Sequence, residues 1–317
     1  MEISAKILTP EDNFISRNIE DYPEGIIIPI NKPYRWTSAD VIRKVKYAAI
    51  RHFGKKNLKV GHAGTLDPLA TGILLVCIGK ATKLAEWLQS HHKEYVAGIT
   101  FGATTPSYDL EKEIDRFFPY EHISAEGVAE ALPAFIGEQD QVAPLFSAKS
   151  VDGVRAYELA RKLHKEGKTL DEVAKDLIRV SRINISELEL VEFHNLAEDS
   201  RLKNNPSHFV VPSPCGQGGS TVFQPTTLRS SSSGEIQSEN ISKASARINV
   251  TDNSELGLPR AVVRIACSKG TYVRAFARDL GEALGSGAHL DSLQRSRSGI
   301  FRVEEALTVE QVIALLA

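Results

Sequence analysis

Short apolar runs separated by polar, turn-rich segments recur along the 317 residues of this chain, and this pattern predicts a fold of mixed strands and helices. Continuous or alternating apolar residues predict strands over residues 25–31, 73–78, 95–101, 177–193 and 262–267. A proline within the first of these runs favours an edge strand there. Because strands and helices follow one another without a strict β-α alternation, we predict an α+β fold.

Apolar residues at helical spacing predict the helices. Thr37 or Ser38 caps a helix whose apolar residues share one face, and this helix ends near Gly54. The segment from Thr308 to Gln311 is a capping box that begins a last short helix. Further helices are predicted over residues 82–89, 124–136, 154–166 and 276–284.

Residues 195–258 differ from the rest of the chain, because they are rich in Ser, Gly and Pro and contain few large apolar residues. This composition predicts a flexible, low-complexity insertion. The insertion interrupts one domain, which we assign to residues 25–194 and 259–300. Residues 1–24 form an N-terminal extension, and residues 301–317 form a short C-terminal tail.

The composition, 42% hydrophobic and 25% charged residues, is that of a globular protein with a substantial core. No apolar run approaches the roughly 20 residues that cross a bilayer, and the N-terminus lacks the basic and then apolar order of a signal peptide. We therefore expect a cytoplasmic protein that does not bind membranes. The three cysteines lie far apart in the sequence, which disfavours a zinc site or a disulfide framework.

The net charge of -2 is not that of a typical nucleic-acid-binding protein. The basic residues are nevertheless clustered. One group lies between Asp40 and Lys59 and consists of Arg43, Lys44, Lys46, Arg51, Lys55, Lys56 and Lys59. A second group consists of Arg295, Arg297 and Arg302. Such groups are most often solvated surfaces, and the alternative is that they contact phosphates.

A loop rich in glycine carries the main candidate for chemistry. Residues 61–72 read Gly-His-Ala-Gly-Thr-Leu-Asp-Pro-Leu-Ala-Thr-Gly, with a single carboxylate at Asp67. Three glycines and a proline force the backbone to turn sharply, and the predicted strand at residues 73–78 follows at once. An Asp-Pro pair is usually an ordinary turn, but a rigid loop at the edge of a strand is also a common place for catalytic groups.

The stretch from Lys59 to Lys83 resembles the signature of the TruB-type tRNA pseudouridine synthases, in which the aspartate of Gly-Thr-Leu-Asp-Pro-x-Ala-Thr-Gly is catalytic. The resemblance covers roughly residues 25–193 and 261–317. It implies the pseudouridine synthase fold, a mixed and mostly antiparallel sheet with flanking helices and a central cleft. It also implies conversion of uridine to pseudouridine at position 55 in the T-arm of tRNA, with no cofactor and no metal.

The resemblance assigns a role to each candidate residue. Asp67 is the catalytic carboxylate, Arg274 in Cys-Ser-Lys-Gly-Thr-Tyr-Val-Arg is its cationic partner, and Tyr95 stacks on the flipped uracil. The positions that match substrate-binding residues of the family are His62, Gly64, Thr65, Lys83 and Leu293. Without the resemblance, such an arginine is most often on the surface, such a tyrosine in the core and such a histidine a hydrogen-bonded loop residue. Whether Asp67 attacks the ribose or the base, or stabilises a positive sugar, stays open.

The match to the family is imperfect at three positions. Arg35 replaces the usual glycine of Lys-Pro-x-Gly-Trp-Thr-Ser, Ser150 stands where the family has lysine, and Gln294 replaces a frequent arginine. These positions are RNA contacts or packing positions in the family pattern. The departures therefore affect the expected strength of RNA binding more than the chemistry.

The expected partner is the T-arm stem-loop of tRNA, bound by a monomer that needs no protein partner. The chain ends soon after residue 300, so we expect no additional RNA-binding domain, as in the free-standing bacterial enzymes. One alternative is a tRNA-folding chaperone in which catalysis is secondary. Another is a glycoside hydrolase, which would need two cooperating acids, whereas the motifs supply one acid and one arginine.

Overall fold

The computed structural model describes residues 3–144, 180–195, 248 and 250–317, together with the backbone of residues 150–151 and 154–155. Its α-helices are α1 (Ser38–Phe53), α2 (Ala85–Ser90), α3 (Ala125–Ala131), α4 (Val273–Ala283) and α5 (Val309–Leu315). Its strands are β1 (Lys6–Ile7), β2 (Ile26–Lys32), β3 (Val60–Ala63), β4 (Ala70–Ile78), β5 (Lys93–Phe101), β6 (Ala103–Thr104), β7 (Arg116–Phe117), β8 (Gly137–Gln141), β9 (Ser150–Val151), β10 (Val154–Arg155), β11 (Ser181–His194), β12 (Arg260–Cys267), β13 (Ala288–Ser298) and β14 (Phe301–Arg302). Short 3₁₀ helices lie at Ile19–Asp21, Gly79–Leu84, Leu132–Phe135, Ser254–Leu256 and Val303–Glu305.

Ten of the described strands form one sheet in the order β1-β2-β4-β13-β5-β12-β11-β8, with β3 also paired to β4 and β14 to β13. The pairs β1/β2 and β4/β13 are parallel, and the other pairs in this sheet are antiparallel. The predicted α+β fold with a mixed, mostly antiparallel sheet and flanking helices is therefore confirmed. The parallel pair β4/β13 lies in the middle of the sheet and joins residues that are far apart in the sequence.

Alternation along β2 and β4 explains how the sheet buries both of its faces. Ile26, Ile28 and Ile30 point towards α1 and α5 in one apolar cluster, whereas Ile27 faces the opposite side, where α2 and Phe301 cover it. A separate cluster lies over the other half of the sheet, where α3 and α4 pack on β5 and β12. The two halves of the sheet therefore each have their own core.

The first helix has the boundaries that its capping residues predict. The Thr37 side chain accepts a hydrogen bond from the Asp40 amide, and the Asp40 carboxylate accepts one from the Thr37 amide at 3.0 Å. Gly54 ends α1 in the left-handed conformation with φ of 60°. Thr308 and Gln311 form the same reciprocal cap at the start of α5. These two predicted helices are confirmed.

Strand β13 is absent from the sequence-based prediction, because its residues alternate poorly and include several charged side chains. One of them, Arg295, is only 2% exposed, so its assignment to a solvent-facing or phosphate-facing group is wrong. The neighbouring Arg297 forms an ion pair with Glu94 at 3.1 Å, and Arg302 is exposed. A buried guanidinium at the centre of the sheet needs polar partners within the fold.

The predicted helix at residues 154–166 and most of the predicted insertion lie outside the described residues. The end of the insertion is described, and it contacts the domain: the Thr251 amide donates to the Leu110 carbonyl at 2.9 Å, and Leu258 is 4% exposed. Among the helices of the described part of the chain, none has the length and apolar composition needed to span a membrane.

Candidate active site

The turn that carries Asp67 is held by the helix beside it. The Asp67 carbonyl accepts a hydrogen bond from the Ala70 amide at 3.1 Å, which closes the turn. The Leu66 amide donates to the Ser38 hydroxyl at 2.9 Å, so the first residue of α1 fixes the residue before the aspartate. The carboxylate is left 37% exposed at the mouth of a pocket. The rigidity predicted for this loop thus has a specific structural origin.

Two glycines with positive φ bracket the loop, Gly64 at 94° and Gly72 at 97°. A Cβ atom on Gly72 would lie 2.2 Å from the carbonyl oxygen of Arg295 on β13. Glycine is therefore required at position 72 both for its conformation and for the close approach of the parallel strands. The approach brings β13 against the start of β4, directly after Asp67.

Arg274 contacts Asp67 from the opposite half of the fold. Its Nη2 donates to Asp67 Oδ1 at 3.1 Å, and its Nε lies 2.9 Å from Oδ2, so both carboxylate oxygens face one guanidinium. The Arg274 side chain is 5% exposed, and its Nη1 donates to the Ser107 carbonyl at 3.1 Å. Burial acts to lower the pKa of Arg274, but Asp67 and Asp109 outweigh it and raise that pKa above its ordinary value.

Asp109 is a second acid at this centre that the sequence did not indicate. Its Oδ2 lies 3.6 Å from Arg274 Nη1, and its Oδ1 accepts a hydrogen bond from the Ser107 hydroxyl at 2.6 Å. Burial raises the pKa of Asp109, and Arg274 opposes this effect. The residue lies in a segment that reads only as a turn, so no sequence pattern distinguished it. Arg274 therefore lies between an exposed acid and a buried one.

Lys32 is a further buried cation next to the loop. Its Nζ donates to the carbonyls of Pro33 at 2.9 Å, Trp36 at 2.6 Å and Pro68 at 3.2 Å. Burial lowers the pKa of Lys32 to about 7, and the Asp67 carboxylate opposes this effect. The bond to Pro68 ties β2 to the residue after Asp67. The sequence signal that could have identified Lys32 is its position in the segment that resembles Lys-Pro-x-Gly-Trp-Thr-Ser.

Leu293 lines the pocket, and Tyr95 lies on β5, the strand that pairs with β13 beside Leu293. Both are partly buried and contact the apolar clusters of both halves of the sheet. Leu293 on β13 pairs with Ala97 on one side and with Ala70 on the other, so it lies next to the catalytic loop. Burial raises the pKa of the Tyr95 phenol, and the charge of Arg295 opposes this effect.

Arg295 joins three parts of the site. Its Nε donates to the Ile73 carbonyl at 2.7 Å, its Nη2 donates to the Gly64 carbonyl at 3.2 Å, and the residue pairs with Tyr95 where β13 runs beside β5. Burial lowers the pKa of the nearby His62, and the charge of Arg295 lowers it further. Arg295 thus links the loop, strand β4 and strand β5 at Tyr95.

The remaining predicted site residues fall into two places. His62 on β3 is half-buried, and Thr65 is exposed in the loop between Gly64 and Asp67. Lys83 is exposed in the 3₁₀ helix after β4.

The pocket beside Asp67 is lined by Asp109, Arg274 and Leu293 among others and has a volume of about 20 Å³. That space is sufficient for about one water molecule. In the described part of the chain, no group of three or more His, Cys, Asp or Glu side chains is arranged as metal ligands would be.

Comparison with known proteins places this geometry in a family. Residues 51–202 match the family model of the TruB family pseudouridylate synthase N-terminal domain, and residues 274–317 match that of the tRNA pseudouridylate synthase B C-terminal domain. The chain is 42% identical over 290 residues to tRNA pseudouridine synthase B of Phocaeicola vulgatus, covering 92% of each chain. This chain belongs to the TruB family of pseudouridine synthases. Membership makes it an isomerase, and the predicted family is confirmed.

Other TruB-family relatives agree. The tRNA pseudouridine synthase B of Thermus thermophilus is 36% identical over 288 residues, covering 89% of this chain and 76% of that one. The crystal structure of a Cbf5-Nop10-Gar1 complex is similar in fold, with a TM-score of 0.52, 21% identity and coverage of 98% of this chain. This chain spans about 61% of the length of that solved chain, so the likeness concerns the fold alone.

Proposed function

We propose that this TruB-family enzyme converts uridine to pseudouridine at position 55 in the T-arm of tRNA. The observation that carries the proposal is the Asp67 carboxylate, 37% exposed in a pocket and facing the Arg274 guanidinium with both oxygens. Relatives named tRNA pseudouridine synthase B, at up to 43% identity, support tRNA as the substrate. The position within tRNA is taken from the family resemblance.

The reaction breaks the bond between ribose C1′ and uracil N1, rotates the base and joins C1′ to C5. The C5 proton is lost and N1 gains a proton, so the atoms balance without a co-reactant. The uridine has to leave its stack to reach Asp67, as in other enzymes that act on a base. Asp67 attacks C1′ or the uracil ring, or stabilises a positive sugar, and Arg274 holds the carboxylate in one orientation for each of these paths.

Tyr95 and Leu293 have a role separate from that of the loop in this proposal. Tyr95 and Leu293 hold the detached uracil by its faces while it rotates, since both lie partly buried between the two core clusters. His62, Gly64 and Thr65 contact the RNA around the flipped nucleotide, because they lie on the strand and loop that lead to Asp67. Lys83 is exposed in the 3₁₀ helix after β4 and contacts further RNA of the substrate.

A direct test compares Asp67→Asn with the matched variant Asp115→Asn, which removes an exposed acid outside the pocket. Each protein is incubated with a full-length tRNA transcript that has uridine at position 55 and with the same transcript carrying cytidine there. Pseudouridine is located by mass spectrometry of nuclease fragments. We expect product at position 55 from the wild type and Asp115→Asn, and none from Asp67→Asn.

Undiminished product from Asp67→Asn would overturn the catalytic assignment, and product that persists in the cytidine transcript would overturn the position. The same variant addresses the chaperone alternative, because folding of tRNA does not require the carboxylate.

We further propose that the enzyme acts in the cytoplasm as a monomer without a protein partner. Light scattering of the purified protein during turnover tests the oligomeric state, and a dimer as the active species would contradict it.

A further inference from the structure

The exposed side of α1 is a basic surface outside the catalytic pocket. Arg43, Lys46, Tyr47 and Arg51 are exposed and lie within one side of the helix, because positions three, four and eight residues apart share a face. The opposite side of α1 is buried on the sheet. We name the four exposed residues the α1 basic face.

The negative charges near this face are few. Asp40 caps α1 and pairs with Arg43 at 2.9 Å, which neutralises one end. Beyond the helix, Lys55 pairs with Glu20 at 3.1 Å. Among the described residues, no ion pair involves Lys46 or Arg51. The middle of the face therefore retains its positive charge.

An exposed aromatic ring lies within this charged region. Tyr47 is 67% exposed, and the Arg51 guanidinium lies over its ring at 5.8 Å from the centroid. A large aromatic side chain in solvent gains nothing from the core of its own domain. Aromatic rings interleaved with arginine and lysine are the pattern with which proteins hold nucleic acids, through stacking and phosphate contacts.

The α1 basic face is continuous with the catalytic loop. The helix begins at Ser38, whose hydroxyl bonds the Leu66 amide next to Asp67. Its 16 residues extend for about 24 Å from that point. RNA that places one nucleotide in the pocket and continues past the start of α1 would run along this length.

We propose that the α1 basic face binds the phosphate backbone of tRNA outside the T-arm while the target uridine lies in the pocket. This inference rests on the proposed function and adds a second binding surface to it. The face supplies affinity for the whole tRNA, and it takes no part in the chemistry at Asp67. Contacts of this kind release counterions and make binding salt-dependent.

The test compares the double variant Lys46→Gln/Arg51→Gln with the wild type on two RNAs, full-length tRNA and the isolated T-arm hairpin. For full-length tRNA we expect about tenfold weaker binding, and a log-log salt slope shallower by about 1 to 2, since each lost phosphate contact contributes about 0.9. For the hairpin we expect unchanged affinity and an unchanged single-turnover rate. Tyr47→Ala should weaken only the full-length complex, and Tyr47→Phe should not.

Arg182→Gln/Arg264→Gln is the matched control, because it removes the same charge from exposed positions on β11 and β12. It should leave both affinities unchanged. Unchanged binding of full-length tRNA by the α1 variant, an equal loss on the hairpin, or an equal loss in the control would each overturn the proposal. Failure of the proposed function is a different result: the wild type would then form no pseudouridine in either RNA.

Discussion

Arg295 donates a hydrogen bond from Nε to the carbonyl of Ile73 at 2.7 Å, at the point where β4 changes its partner. Strand β13 pairs with β4 up to Gly72, and β3 pairs with β4 from Leu75 onwards. The Ile73 carbonyl therefore lies in the gap between the two partner strands. There the Arg295 side chain donates the hydrogen bond that a neighbouring strand would otherwise supply. The same guanidinium donates a hydrogen bond to the carbonyl of Gly64, the residue after β3.

Replacing Arg295 with methionine should destabilise the protein. The change leaves two buried carbonyls without their donor, which costs roughly 2–4 kcal/mol in the free energy of unfolding. Urea denaturation measures this value, with Arg297→Met as the control. Arg297 is partly exposed and pairs with Glu94, so its loss should cost less than about 1 kcal/mol. Equal losses for the two variants would contradict the bridging role of Arg295.

Tyr95 should act as a ring rather than as an acid or base. Tyr95→Phe keeps the ring and removes only the hydroxyl, so we expect the single-turnover rate to fall by less than about tenfold. Tyr95→Ala loses the platform, and stacking worth about 1–3 kcal/mol corresponds to roughly 5- to 150-fold in rate. Rates of pseudouridine formation on a T-arm hairpin measure both. Equal rates for the two variants would show that the ring is not a platform.

Asp109 should make stability depend on pH in a defined direction. Its folded-state pKa is raised, so on acidification the folded protein takes up this proton before the unfolded chain does. Wild-type stability should therefore improve relative to Asp109→Asn as the pH falls from 7 towards the ordinary aspartate value of about 3.8. Urea unfolding of both proteins across this range measures the difference. A difference that shifts in favour of Asp109→Asn on acidification would contradict the assignment.

Arg35 should be replaceable by glycine with a gain in stability. It has φ of 63°, a left-handed conformation that costs a side-chain-bearing residue about 1–2 kcal/mol. Glycine removes this cost, although the freer unfolded chain returns about 0.5–1 kcal/mol of it. The glycine variant also loses one exposed hydrogen bond, which the Arg35 side chain donates to the Ile248 carbonyl.

We therefore expect Arg35→Gly to be more stable by about 0.5–1 kcal/mol in thermal or urea unfolding. Tyr108 is the contrast, because it also has positive φ but is 7% exposed, so Tyr108→Gly should lose packing and destabilise the protein. A destabilised Arg35→Gly would mean that the bond to Ile248 outweighs the strain.

The parts of the fold that depend on local chemistry could be predicted from the sequence. Helix α1 begins and ends where Thr37 and Gly54 place it, because caps act within one turn. The loop at Asp67 was recognisable for the same reason, since its glycines require particular backbone angles. The membership in a family followed from the residues of this loop and of the segment around Arg274.

Other features depend on contacts between distant segments, and the sequence did not reveal them. Strand β13 is held by both β4 and β5, so its polar residues do not prevent it from being central. Asp109 and Lys32 belong to the site because the fold buries Asp109 beside Arg274 and Lys32 beside Pro68. Their residue types occur on most protein surfaces, so type alone could not identify them. The roles assigned to the site residues stay predictions until the variants are assayed.

The position of β13 between β4 and β5 also governs when the enzyme can form during synthesis. Strands β4 and β5 leave the ribosome early and in succession, yet they are not neighbours in the sheet. The strand that separates them is made long after both, and such distant pairing is slow. A nascent chain therefore holds Asp67 without Leu293 beside it until β13 has been made.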